Sequence, residues 1–146
     1  MYEQFQRRGV KVLVPINSPS SARKTVEHAV REYPDASITA LHVSRLNAAY
    51  GIGGMYVHDP VTVSQRTHAD ELFETVSETA DAHGGSITTM TAVGCPVREI
   101  VEHADSSDTD HIVIGSCGRT GLRRLLYQNV THGVVYRSPV PVTVVK

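Results

Sequence analysis

Long apolar runs are missing from this chain: no window approaches 18 consecutive apolar residues, so no segment has the length of a membrane-spanning helix. Its first residues, MYEQFQRRG, lack the apolar core of a secretory signal. Cysteine occurs twice, as Cys95 and Cys117, too few for a disulfide scaffold, and both are read as small reduced side chains. Charge of one sign is lacking too. With 14 Lys and Arg against 15 Asp and Glu, the formal net charge is -1, which gives no long-range field for nucleic acid or an acidic membrane. Aromatics are thin, with no Trp, two Phe and six Tyr, so the 40% hydrophobic content is mainly aliphatic. These absences point to a cytoplasmic protein with neither nucleic acid nor membrane as partner. A chain of 146 residues suits one domain over 1–146, with its core over about 10–146.

What is present is a regular alternation. VKVLVPI (Val10 to Ile16) is short, apolar and rich in β-branched residues, as a strand buried on both faces requires. In the next segment Ala22, Val26, Ala29, Val30 and Tyr33 fall on one helical face, and Pro34 stops the helix. SITALHV (Ser37 to Val43) is a second strand, and Ser44 to Ser64, with Gly51, Gly53, Gly54 and Pro60, reads as a long lid-like loop. Helical spacing returns at Ala69, Leu72, Phe73, Val76 and Ala80, ended by Gly84 and Gly85. SITTMTAV (Ser86 to Val93) is a third strand, Pro96 opens a helix with Val97, Ile100, Val101 and Ala104, and HIVIG (His111 to Gly115) is a fourth strand. A helix from near Asn129 and the strand Pro141 to Val145 complete the set.

Strands alternating with helices imply a parallel sheet with right-handed crossovers. The expected fold is α/β, a Rossmann-like or flavodoxin-like doubly wound five-stranded parallel sheet of strand order 3-2-1-4-5. Ligands of such sheets lie beyond the carboxyl ends of the strands, where the winding reverses. With the first and fourth strands as neighbours, that place is flanked by Pro15-Ile16-Asn17-Ser18 and Gly115-Ser116-Cys117-Gly118. The last strand, apolar and at the chain end, is expected at a sheet edge, where it invites pairing with a second copy.

Several chemistries lack their motif. No G-x-x-x-x-G-K-[ST] occurs, nor a G-x-G-x-x-G after the first strand, nor a G-x-S-x-G nucleophile elbow. Gly51-Ile52-Gly53-Gly54 sits inside the long loop and reads as part of a lid. None of the eight histidines has metal-ligand spacing, and Cys117 has no resolving cysteine or adjacent base in sequence. The chain does not read as an enzyme.

The segment Gly115 to Asn129 is different, because its parts converge. It follows a strand and ends at a helix N-terminus, where Asn129 is a favoured cap and anions are attracted. Gly115 and Gly118 let backbone approach a phosphate without a Cβ between, and Arg119, Arg123 and Arg124 add positive charge. The same residues also describe a tight turn with solvated arginines, and spacing alone leaves both readings open.

From VLVPINSPSSA through LHV and GCPVREIVEHADSSDTDHIVIGSCGRTGLRRLL to SPVPVTVVK, the chain resembles the universal stress protein (UspA) family over roughly Val10 to Lys146. One branch of that family binds ATP through G-x-x-G, nine residues, then G-[ST]. Here Gly115 to Gly118 supply the first half and Arg119 to Tyr127 the nine residues, but Gln128-Asn129 stands where Gly-Ser or Gly-Thr is expected. Asn17 replaces the aspartate that contacts the adenosine part of the nucleotide. The resemblance implies ATP or another adenine nucleotide, with Mg²⁺ only alongside it. Pro15 and Asn17 then face base and ribose, His42 and Val43 border the base, and Gly115, Gly118, Gln128, Asn129 and Val130 surround the phosphates, with Arg119 as a charge contact.

Both departures weaken such a site. A Cβ at 128 costs about 1–2 kcal/mol if the backbone there is left-handed. Exchanging a charged for a neutral hydrogen-bonding group at Asn17 loses about 1–2 kcal/mol more. A loss of about 2–4 kcal/mol in all lowers affinity about 30- to 1000-fold. The expectation is a stress-associated binding or signalling module with a weakened ATP site and no turnover, forming a homodimer through Pro141 to Val145. A dimeric interaction protein that binds no nucleotide is the alternative, and a slow nucleotide hydrolase the enzymatic one.

Overall fold

Val12, Leu13 and Val14 point to alternate sides of the first strand, yet all three are buried, so the sheet carries cover on both faces. The computed structural model describes residues 9–45, 63–116 and 130–146. Its strands are β1 (Lys11–Ile16), β2 (Ser37–Ser44), β3 (Thr88–Val93), β4 (His111–Gly115) and β5 (Val142–Val145). The helices are α1 (Pro19–Glu32), α2 (Val63–Ala82), α3 (Pro96–Ser106) and α4 (residues 130–137). All neighbouring strands run parallel in the order β3-β2-β1-β4-β5, the expected doubly wound sheet.

Two clusters fill the layers. Val12, Val14, Ile16 and Val113 pack with Ala22, Val26 and Ala29 of α1 and Leu72 and Val76 of α2. On the other face Leu13, Leu41, Ile112 and Ile114 pack with Ile100 and Ala104 of α3 and Val134 of α4. β1, β2 and β4 therefore spend alternate side chains on opposite layers. Thr25 also lies on the buried face of α1, where its Oγ1 donates to the Ser21 carbonyl at 2.7 Å. That internal hydrogen bond lets a polar residue replace an apolar one on the stripe.

The ends of the elements follow local chemistry. Tyr33 caps α1, its N–H donating to Ala29 O at 2.9 Å, and its ring packs 5.3 Å from that of His111. Gly84, with φ +74, closes α2: its N–H donates to Asp81 O at 3.1 Å and that of Gly85 to Ala80 O at 2.9 Å. Some boundaries differ from expectation. Ser44 belongs to β2 and residues 63–64 to α2, β3 starts at Thr88, and Pro141 precedes β5, its carbonyl accepting from Ile112 N–H at 3.0 Å. Residues 46–62, which include the expected Gly51 to Gly54 lid, lie outside the described residues.

The site is positioned by the way β1 and β4 part. Six residue pairs run along β1 and β2, from Lys11↔Ser37 to Ile16↔His42, whereas β1 and β4 pair only at Val12↔His111 and Leu13↔Ile112. Pro15 contributes no N–H to this central strand, and the β1–β4 pairing has already ended before it. Beyond that point the two strands no longer bridge, and a crevice opens at their carboxyl ends.

Candidate functional site

A cleft of about 430 Å³ occupies this crevice, within the usual range for small-molecule sites. Pro15, Ile16, Asn17 and Ser18 form the β1 side, and Leu41 to Arg45 the β2 side. Ile114 and Gly115 end β4 there, Val130 and Thr131 begin the described part of α4, and Pro96 and Ile100 come from α3. Gln65 and His68 of α2 close the remaining side. Among the described residues lining the cleft there is no Asp or Glu, and Arg45 carries a permanent positive charge. The lining thus offers apolar surface, amide and hydroxyl groups and a cation, a set that suits an anionic ligand with an apolar body.

His42 is the most buried polar residue of the lining, only 4% exposed, and its Nδ1 lies 3.2 Å from Ile16 O. A carbonyl only accepts, so Nδ1 holds the proton and donates. Burial, only partly offset by that hydrogen bond and reinforced by nearby His68, lowers the pKa of His42 below its ordinary value. The ring is therefore neutral at pH 7, with Nε2 left as an acceptor. His68 stands edge-on to it, ring centres 5.6 Å apart, and its Nε2–H donates to Asn17 O at 2.9 Å.

Gly115 has a close neighbour that the sequence did not disclose. A Cβ there would collide with Ser21 Oγ and lie 3.0 Å from Thr25 Oγ1, so the end of β4 lies hard against α1. The sequence assigns this glycine to phosphate approach, and close strand–helix packing is a second use for its missing Cβ. Thr131, buried, donates from Oγ1 to Gly115 O at 3.0 Å and ties the first turn of α4 to the end of β4.

Of the expected site residues, Pro15, Asn17, His42, Val43, Gly115 and Val130 all line this one cleft. Gly118, Arg119, Gln128 and Asn129 lie outside the described residues, as does Cys117, while Cys95 is free and exposed. Ser21, Arg45, Gln65, His68 and Thr131 were missed. For His68 a signal existed: it precedes Leu72 by four residues, on the stripe that α2 turns toward the sheet. Among the described residues no group of three or more His, Cys, Asp or Glu is placed to hold a metal ion, and no helix is long and apolar enough to cross a membrane.

A family model described as the universal stress protein family matches residues 10–146. The chain belongs to the universal stress protein family. Universal stress protein MJ0531 of Methanocaldococcus jannaschii is 29% identical over 139 residues, covering 93% of this chain and 81% of that one. A universal stress protein from Archaeoglobus fulgidus, solved in complex with dAMP, superposes with a TM-score of 0.70 at 17% identity, covering 94% of this chain and 98% of that one. A family protein from Arabidopsis thaliana with AMP bound gives 0.66 at 18% identity, over 94% of this chain and 91% of that one. At such identities these two structures establish the shared fold.

In this universal stress protein the neutral histidines make a testable demand on stability. His111, like His42, has its pKa lowered by burial first, and then by nearby His28. A histidine held neutral takes up its proton more readily when unfolded, so its stabilisation is complete above the unfolded value of about 6.5. It is lost as pH falls through that value toward the lowered folded one. Urea midpoints should therefore drop between pH 7.5 and pH 5.5, and the drop should shrink in His42→Gln. Equal midpoints at the two pH values would contradict the assignment.

Proposed function

We propose that this chain is an adenine-nucleotide-binding module of a cytoplasmic stress response, acting by binding and signalling without turnover. The observation that carries this reading is the cleft at the β1–β4 parting, which gathers an apolar wall, the neutral His42 and the end of β4 without a carboxylate among its described residues. The dAMP and AMP bound to the Archaeoglobus fulgidus and Arabidopsis thaliana proteins favour adenine as the base. Pro15, Asn17, His42 and Val43 hold the adenosine part, while Gly115 and Val130 lie toward the phosphates, next to Gly118, Arg119, Gln128 and Asn129 in the sequence. Mg²⁺ enters only as a counter-ion of the nucleotide, because hard cations take oxygen ligands and the described lining supplies no carboxylate.

Gln128 and Asn17 weaken the site. The test is calorimetric titration of the natural chain and a Gln128→Gly, Asn129→Ser variant with ATP and Mg²⁺. The variant replaces one of the two weakening groups, so it should bind about 5- to 30-fold more tightly, the equivalent of about 1–2 kcal/mol. Phosphate release by either protein should stay at the no-protein blank. Equal affinities would remove the weakening argument, and absence of binding by both would leave the nucleotide-free interaction protein.

The assembly we infer is a homodimer paired through Pro141 to Val145. β5 ends the sheet and leaves Val144 40% exposed, an apolar edge of the kind that pairs with a second copy. Light scattering should give the mass of two chains for the natural protein and of one for Val144→Lys. A natural protein of single-chain mass would refute the pairing.

A further inference from the structure

Two consecutive backbone carbonyls, that of Ile16 at the end of β1 and that of Asn17 just after it, are each held by an imidazole. His42, from β2, donates through Nδ1 to Ile16 O at 3.2 Å. His68, from α2, donates through Nε2 to Asn17 O at 2.9 Å. The rings meet edge to face at 72°, so the two grips support each other. The usual local device is missing at the same place. Ser18 has the extended backbone of an N-cap, φ -129 and ψ 149, but its side chain makes no capping hydrogen bond. The turn from β1 into α1 is thus fixed from outside, by side chains of two other elements.

From this geometry we infer that His68 is a positioning residue of the cleft: by gripping Asn17 O it sets the peptide plane between Asn17 and Ser18. That plane decides how both residues stand toward the cleft they line. The inference rests on the nucleotide reading of that cleft and adds to it a residue from α2 with no place in the family signature quoted above. A purely structural role is a poor account of the contact. α2 is already anchored by the burial of Ala69, Leu72, Val76 and Ala80, whereas His68 is only half-buried at the rim.

The test compares His68→Leu and His68→Gln in the full chain by AMP calorimetry, urea denaturation and amide NMR of the free protein. Leu has no donor, while the Gln amide N–H can reach the same carbonyl. His68→Leu should bind AMP roughly three- to tenfold more weakly, with a nearly unchanged urea midpoint. It should also shift the Ser18 amide resonance before any ligand is added. His68→Gln should recover most of the affinity and return the resonance. Unchanged affinity in His68→Leu, or an unmoved Ser18 amide, would overturn the inference. If the natural chain binds no AMP, the nucleotide reading fails by itself, and the Ser18 resonance in the free variants still decides the grip.

Discussion

The short pairing between β1 and β4 is the constraint on which the molecule depends. These two strands must be neighbours, because the winding of the sheet reverses between them, yet they bridge only at Val12↔His111 and Leu13↔Ile112. At the amino ends the join is reinforced: Lys11 N–H donates to Asp110 Oδ2 at 2.9 Å and Asp110 N–H to Lys11 O at 2.8 Å. At the carboxyl ends nothing comparable bridges them among the described residues, and Pro15 supplies no N–H. The strands are held at one end and free at the other, and the cleft is the result.

Everything around the cleft compensates for that parting. Backbone carbonyls at the strand ends find side chains: Asn17 O and Gly115 O, past the end of the β1–β4 ladder, take His68 and Thr131, while Ile16 O, on the β2 side, takes His42. Unpaired backbone polar groups are costly when buried, so the polar lining serves the fold as well as any ligand. No buried side-chain nitrogen or oxygen is left without a partner among the described residues. Gly115 belongs to the same economy. It admits α1, through Ser21 and Thr25, right up to the strand end.

How much of this was legible in the sequence depends on the range of the interaction involved. Val12 to Val14 and His111 to Gly115 announced buried strands, since β-branched runs between turn signals have few other uses. The alternation with helices then fixed the winding and the place of the cleft. Arg45 was not legible, because only the tertiary packing brings it to the cleft, and His68 was legible only as a member of the buried stripe of α2, not as a cleft residue. Thr25 was missed because its internal hydrogen bond hides a hydroxyl on an apolar stripe. Gly115 was legible as a glycine of the cleft, but its closeness to Ser21 and Thr25 was not, because the pattern shows that a Cβ is absent and not which neighbours lie there. The half-motif at Gly115 to Asn129 was visible as residues only.

The most direct test is a titration of the ¹⁵N-labelled chain with AMP, followed by amide NMR. If the cleft is the nucleotide site, the perturbed resonances are those of Asn17, Ser18, His42, Val43, Gly115 and Thr131. Those at the opposite end of the sheet, Lys11 and Asp110, and on the far edge, Thr88 and Thr89, stay in place. Perturbations at the sheet's amino ends or far edge, with the cleft unmoved, would contradict the account.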